Sequence, residues 1–262
     1  MHASTIENNI STATVTAAPA PAAAAFAYAE VFEGVAAACA AQPGTPEFAE
    51  ECKKLDHRPL GYRFVKRAFD IVFSLCVIIV GFIPGLLLSI AIAIDTKGAP
   101  IYSQVRAGKN GKPFRIYKLR TMVADSDDVE KYFTPEQLEV WKRERKVEDD
   151  PRITSLGRKL RSTSLDEFAQ FINVLLGQMS VMGPRAITFD ELEHFGKDQA
   201  LLLSILPGIT GLWQVGDRNV ATFDNGTRQA IELDYVRRAS LKTDLAIFFG
   251  TFGAMFTRRT GK

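Results

Sequence analysis

Two acids stand side by side, Asp166 and Glu167, in a stretch otherwise dominated by cations. Upstream, DPRITSLGRKLRSTSLDE brings Arg152, Arg158, Lys159 and Arg161 to within fifteen residues of the pair, and downstream MSVMGPR adds Arg185 after a Gly-Pro turn. Guanidinium groups hold phosphate oxygens in bidentate fashion, so this arrangement suits carboxylates working beside a bound phosphate. A plainer account of the pair also exists. Ser164 followed by Glu167 reads as a capping box, which places both acids in the first turn of a helix, where unpaired N–H groups and the positive dipole end favour anions without any chemistry.

Other chemistries are excluded by what the chain lacks. Its formal charge of +2 is too near neutrality for a general nucleic-acid binder, so no nucleic acid is expected as a partner and any anion site must be local. The histidines His2, His57 and His194 form no zinc-type motif, and Cys39, Cys52 and Cys76 share no metal-type spacing, which leaves a hard cation on carboxylates as the metal chemistry still open. The three cysteines read as reduced thiols facing a cytoplasm.

The elements that must position these residues begin with a membrane segment. Residues 1–57 read as a disordered Ala/Pro-rich tail, most plainly up to Gly44 in the stretch TAAPAPAAAAF, with too few large apolar residues for a core and no basic residue ahead of the Ala run as a signal peptide would have. Residues 58–95 then carry FDIVFSLCVIIVGFIPGLLLSIAIAI, uncharged from Ile71 to Ile94. At ~1.5 Å per residue this could cross a hydrocarbon core of about 30 Å. Gly81, Pro84 and Gly85 lie near its middle, however, where proline removes a donor and bends a helix. A kinked spanning helix and a bent re-entrant one both satisfy this pattern. His57, Arg58, Arg63, Lys66 and Arg67 before the segment and Lys97, Arg106, Lys109 and Lys112 after it favour cytoplasmic flanks at both ends, which suits re-entry.

Residues 96–262 form the remaining domain. IYSQV and FRIYKL, punctuated by Gly108, Gly111 and Pro113, read as a hairpin. PEQLEVWKRERK starts a helix with Thr134 as cap, Pro135 first and Gln137 third. SLDEFAQFINVLLGQ reads as a helix capped by Ser164 and stopped by Gly177, and a third helix is expected from about Phe189 to Leu206. DLAIFFGTFGAMF, followed by Arg258, Arg259 and Lys262, is too short to span, but Phe248, Phe249, Phe252 and Phe256 suit either a headgroup layer or plain core packing.

From about Lys66 to Thr257 the chain resembles the bacterial sugar transferase family, the monotopic phosphoglycosyl transferases, in four motifs. KRAFDIVFS is similar to its membrane entry and IYSQVRAGKNGKPFRIYKLRTM to its long first motif. DPRITSLGRKLRSTSLDEFAQFINVLLGQMSVMGPR matches its catalytic stretch and LPGITGLWQVGDRN its later substrate motif. VWKRERKVEDDPRIT further resembles its exopolysaccharide-initiating, ExoY-like branch. The resemblance implies an α+β, mostly helical protein: a re-entrant membrane helix bent at Pro84, plus a compact cytoplasmic catalytic domain with a small β-hairpin and amphipathic interfacial helices, held at the bacterial inner membrane. It implies transfer of a hexose 1-phosphate from a UDP-sugar (glucose or galactose) to undecaprenyl phosphate in a bed of membrane lipid. Asp166 would act as nucleophile and Glu167 as the ligand of Mg²⁺, while Lys118, Arg120, Arg161, Arg185 and Arg218 contact phosphates and substrate. Neighbouring side chains on a helix point in different directions, which suits this division of labour between the two acids.

The chain departs from the family's pattern where Ala169 and Ala186 replace prolines, where Asp217 precedes Arg218, and where Ile83 replaces a serine before Pro84. Asp217 puts a negative charge beside a substrate contact and bears on donor choice. The rival expectation is a catalytically silent, membrane-anchored scaffold of a polysaccharide assembly machine, against which the intact Asp166, Glu167, Lys118, Arg161 and Arg218 speak. A homodimer is left open.

Overall fold

The structure, a computed structural model, describes residues 41–144, 147–216, 223 and 225–257. Helix α1, Pro46–Leu55, begins where Thr45 Oγ1 accepts from the Phe48 N–H at 3.2 Å, and it buries Phe48 and Cys52 completely. The expected tail of 1–57 is therefore corrected at its C-terminal end: two apolar side chains four residues apart suffice to dock one helical face. Helix α2, Leu60–Thr96, is a single run of 37 residues with Pro84 inside it. Among the described residues it is the one helix long and apolar enough to cross a membrane.

One face of α2 meets the domain near both of its ends and, through Gly81 and Gly85, at its middle. Near its start, Lys66 Nζ and Tyr62 Oη both donate to Asp244 Oδ2, at 2.7 and 2.8 Å. Arg67 donates to the carbonyls of Val174 and Leu175, and Asp70 Oδ1 accepts from Ser180 Oγ and the Val181 N–H. Near its end, Ile92 closes a buried cluster with Leu119 and Leu160, and the Thr96 carbonyl accepts from the Ala124 N–H. The opposite face, including Phe64, Val72, Val80, Leu87 and Ile94, is bare.

Strands β1, Ile101–Ala107, and β2, Pro113–Leu119, pair antiparallel as expected, Ile101 opposite Leu119, with left-handed Asn110 and Gly111 in the turn. Helix α3, Pro135–Glu144, opens on the expected capping box: Gln137 Oε1 accepts from the Thr134 N–H at 3.1 Å and Thr134 Oγ1 from the Gln137 N–H at 3.3 Å. Helix α4, Ser155–Thr163, follows, capped by Thr154. Here the sequence expectation fails. Ser164 adopts a left-handed conformation (φ 58°) that closes α4, and its side chain caps nothing. The acids occupy a 3₁₀ turn, Leu165–Glu167, and helix α5 runs only from Gln170 to Leu175. Ser164 is thus a C-terminal stop, and the capping box read from the Ser164 and Glu167 spacing does not form.

Gly177 (φ +77°) ends α5 as expected, with the Gln178 N–H reaching the Asn173 carbonyl. Strand β3, Ser180–Met182, pairs parallel with β4, Gly208–Thr210. The third expected helix is corrected as well. Helix α6, Phe189–Leu192, and helix α7, Gln199–Leu202, are separated by 3₁₀ turns around Gly196, whose φ 46°, ψ −123° no helix contains. Helix α8, Leu212–Val215, precedes α9, Thr227–Arg238, and α10, Leu241–Thr257. Val174, Met179, Ile187, Leu192, Tyr235 and Ile247 fill the core between them, each burial contributing about 1.5–3 kcal/mol. In α10, Phe248 packs edge-on against Phe69 and Phe73, while Phe249 and Phe252 stay exposed; the Phe256 side chain lies outside the described residues.

Candidate active site

Helix α5 is locked to the hairpin through one side chain. Asn173, fully buried, accepts from the Tyr117 N–H at 2.9 Å and donates to the Arg115 carbonyl at 2.7 Å. This sets the 3₁₀ turn beside β2, so Lys118 Nζ stands 3.8 Å from Glu167 Oε1. The other side of the turn is set by α2. The Phe168 ring lies against the bare backbone of Gly81 and Gly85, on either side of Pro84 in sequence. At the end of α4, Arg161 Nε donates to Thr121 Oγ1 at 2.9 Å, and its charge reaches Asp166 and Asp150.

Burial pushes the Asp166 carboxyl above its ordinary range, and the adjacent Glu167 charge adds to the push, while Lys118 and Arg161 oppose it. Burial likewise holds the Lys118 ammonium below its usual range against the pull of Glu167. Both acids are half-buried, and Glu167 faces a cleft shared with Lys118, Arg106, Arg185 and Gln214.

The structure brings together Asp166, Glu167, Lys118, Arg161 and Arg185. Arg120 stands apart from the cleft, its Nε donating to the Ala99 carbonyl at 2.7 Å while its guanidinium lies over Tyr102, and Arg152 forms a buried pair with Asp150 beneath Phe133. Arg218, with Asp217, lies outside the described residues. Sequence reasoning did not place four charged residues here. Glu191 Oε2 accepts from Arg106 Nη1 at 3.0 Å, and its Oε1 lies 3.6 Å from Arg228 Nη2. Arg228 is held between the rings of Trp213 and Phe223, and Glu232 accepts from the Arg185 backbone N–H. No local sequence signal marked them, since the contacts join residues far apart in the chain.

The donor set suits a hard cation. Glu167 faces a cationic cleft with Asp166 adjacent to it in the chain, and Mg²⁺ typically takes one or two carboxylates together with substrate phosphate oxygens and water. Among the described residues no group of three or more His, Cys, Asp or Glu side chains could hold a metal alone, so such an ion would need the substrate's oxygens as well.

Glu167 in a cleft lined by Arg106, Lys118 and Arg185, with Asp166 beside it and a long apolar helix against the same turn, makes a site suited to anions. The family profile described as bacterial sugar transferase matches residues 61–258, and the chain belongs to that family. It is 40% identical over 206 residues to the "Exopolysaccharide production protein ExoY" of Rhizobium meliloti, covering 77% of this chain and 89% of that one. It is 42% identical over 200 residues to the "Undecaprenyl-phosphate galactose phosphotransferase" of Salmonella typhimurium, covering 75% of this chain but only 41% of that protein. The "UDP-glucose:undecaprenyl-phosphate glucose-1-phosphate transferase" of Klebsiella pneumoniae is 40% identical over 196 residues, 71% of this chain and 39% of that one. The chain thus spans about two fifths of the longer relatives and most of the shorter one.

Proposed function

We propose that this chain transfers a hexose 1-phosphate from a UDP-sugar to undecaprenyl phosphate, releasing UMP, as the first membrane step of exopolysaccharide synthesis. An Asp166 carboxylate oxygen attacks the sugar-bearing phosphorus, the bond from that phosphorus to the bridging oxygen breaks, and its electrons leave with UMP. The polyprenyl phosphate oxygen then attacks the same phosphorus and expels Asp166. Lys118 and Arg161 favour the ionised form of Asp166 against its burial and offset charge on the transferred phosphate. Glu167, with Asp166 beside it, would hold Mg²⁺, which supplies further charge neutralisation at the phosphates.

The observation that carries this reading is the seating of Phe168 on Gly81 and Gly85, because it ties the carboxylate turn to the middle of the apolar helix. A lipid phosphate arriving from the bilayer would come to that place. The contacts of α2 at Lys66, Gly81 and Ile92 all go to one domain. A helix of 37 residues, about 55 Å at ~1.5 Å per residue, could not cross a core of about 30 Å and keep both ends on that domain unless they shared one face of the membrane. This supports a re-entrant helix, and the basic residues flanking both of its ends favour placing the domain on the cytoplasmic face.

The test is UMP release from UDP-glucose and UDP-galactose by nanodisc-held protein with undecaprenyl phosphate and Mg²⁺. Wild type is expected to be active and EDTA-sensitive with one of the two donors, and Asp166→Asn to lose at least about a thousandfold. Wild-type protein silent across a wider panel of nucleotide sugars would replace this reading with the scaffold.

A further inference from the structure

A second cavity lies where the chain passes from α1 into α2. It measures about 190 Å³, many times the ~10–15 Å³ that one water needs, and its lining includes His57, Arg58, Pro59, Leu201, Arg237 and Ala239. Three of these side chains are basic, and among the described residues no acidic one lines the cavity. The carboxylates that pair with these cations are fewer than the cations. Asp56 is shared, accepting from Arg58 Nε at 2.7 Å and Nη2 at 2.9 Å and from Lys109 Nζ at 2.9 Å, while Arg237 Nη2 stands 3.8 Å from Asp198. Two carboxylates thus serve three permanent cations, with His57 besides. The lining residues up to Pro59 lie ahead of the span 61–258 that the family profile matches.

The cavity stands in the fork between two bare apolar stripes. Pro59 directly precedes Leu60, and Leu60, Phe64, Ala68, Val72, Cys76 and Val80 follow at intervals of four along one side of α2, all exposed. Leu60 and Phe64 are 78% and 77% exposed although they lie ahead of the uncharged run, so the bare face of the membrane segment reaches back to the cavity. Ala239, on the other wall, lies two residues before Leu241, which opens the exposed stripe Leu241, Leu245, Phe249 and Phe252 of α10. Asp244 fastens the two helices together at this point, accepting from Tyr62 and Lys66 of α2. Contiguous bare apolar surface marks contact with a membrane or a partner, and here it starts on both sides of a cationic cavity.

We propose that this cavity holds the headgroup of an anionic phospholipid, its phosphate on Arg58 and Arg237 and its acyl chains along Leu60, Phe64 and Leu241. The apolar rim selects a lipid over a soluble phosphate, which would leave that surface in water. A zwitterionic headgroup would bring its own cation among Arg58, Arg237 and His57, so the cavity prefers an anionic one. The bound lipid would fix the height at which α2 and α10 enter the membrane surface. This inference rests on the membrane placement of α2 and is independent of the transfer reaction.

The experiment is electron spin resonance of the full-length protein in phosphatidylcholine nanodiscs carrying a small fraction of spin-labelled phosphatidylglycerol or, in parallel, spin-labelled phosphatidylcholine. More motionally restricted lipid is expected with phosphatidylglycerol, and Arg237→Gln is expected to weaken that preference about fivefold, the worth of one basic residue at an anionic surface. Arg237 is half-exposed and meets Asp198 only at 3.8 Å, so this variant should fold, as its thermal midpoint in neutral nanodiscs will verify. Arg238, paired with Asp234 at 2.8 Å and outside the lining, is the charge-matched control, and Arg238→Gln should leave the preference intact. Ala239→Leu, which fills the cavity and changes no charge, should weaken it as Arg237→Gln does. Equal losses in the two arginine variants overturn the cavity in favour of diffuse surface attraction, and equal restriction of both lipids in wild type overturns it outright. Displacement of the labelled lipid by glycerol 3-phosphate would make the site one for soluble phosphates and overturn the lipid assignment. A protein that fails to enter neutral nanodiscs overturns the membrane placement of α2 together with the site.

Discussion

The Phe168 ring rests on the backbone of Gly81, where a methyl group would run into ring Cε2 and lie 2.6 Å from Cζ; at Gly85 the nearest ring atom, Cε1, would be 3.1 Å away. Phe168 follows Glu167 directly, so displacing its ring displaces the carboxylate turn. Gly81→Ala is expected to lower kcat for UMP release by about tenfold or more, since small misplacements of reacting groups carry large rate penalties. Gly85→Ala should cost less, and Phe168→Leu in the Gly81→Ala protein should recover part of the loss. An unchanged kcat in Gly81→Ala would sever the link between the helix and the acids.

Ionised Asp166 is the attacking form, so the rate should rise with pH through its pKa, and burial with Glu167 beside it moves that limb above the ordinary carboxylate range. Arg161 favours the ionised form. Arg161→Gln is therefore expected to move the acid limb of kcat/KM to higher pH, beyond any fall in its plateau. A limb that stays in place would assign the titration to another group.

Much of the scaffold was legible because its signals are local. The Ile71–Ile94 run, the hairpin punctuated by glycine, the Thr134–Gln137 capping box and the Gly177 stop each depend on a few neighbouring residues. The expectation at Ser164 failed for a tertiary reason. The same serine that suits an N-cap by type is turned left-handed where α4 ends, so the acids sit on a 3₁₀ turn fixed by Asn173 and Phe168 rather than by a helix dipole. Of the site, Asp166, Glu167, Arg161 and Arg185 were legible as an acid pair among cations, and Lys118 was found through motif resemblance. Glu191 and Glu232 were not, because acids on helices usually face solvent, and only the fold turns these two toward arginines.

Asp244 joins α10 to the start of α2, accepting from Tyr62 Oη at 2.8 Å, Lys66 Nζ at 2.7 Å and Tyr235 Oη at 2.7 Å, with only 2% of its surface exposed. Removing one partner of a buried, hydrogen-bonded pair leaves the other charge without compensation, at about 3–5 kcal/mol. Asp244→Ala should accordingly lower the thermal midpoint of the nanodisc-held protein by several degrees, and the double variant Asp244→Ala with Lys66→Met should be less destabilised than the sum of the two. Simple additivity would show that the pair does not couple.

Glu232 makes stability depend on pH near neutrality. It is 2% exposed, and burial pushes its carboxyl from 4.5 up to about 7 despite the Arg185 N–H and the charges of Arg228 and Arg185, with Glu191 adding to the push. A carboxyl whose folded pKa lies above its unfolded value binds a proton on folding. Its contribution is thus fully present below about pH 4.5 and is lost as pH rises through about 7, a swing of about 3 kcal/mol at ~1.4 kcal/mol per unit. Glu232→Gln keeps an acceptor for the Arg185 N–H and cannot ionise. Its thermal midpoint relative to wild type should therefore climb between about pH 5 and about pH 8, by several degrees for a swing of this size. A difference that stays flat across that interval would mean that Glu232 is ionised throughout, held by Arg228 and Arg185 more strongly than its burial allows.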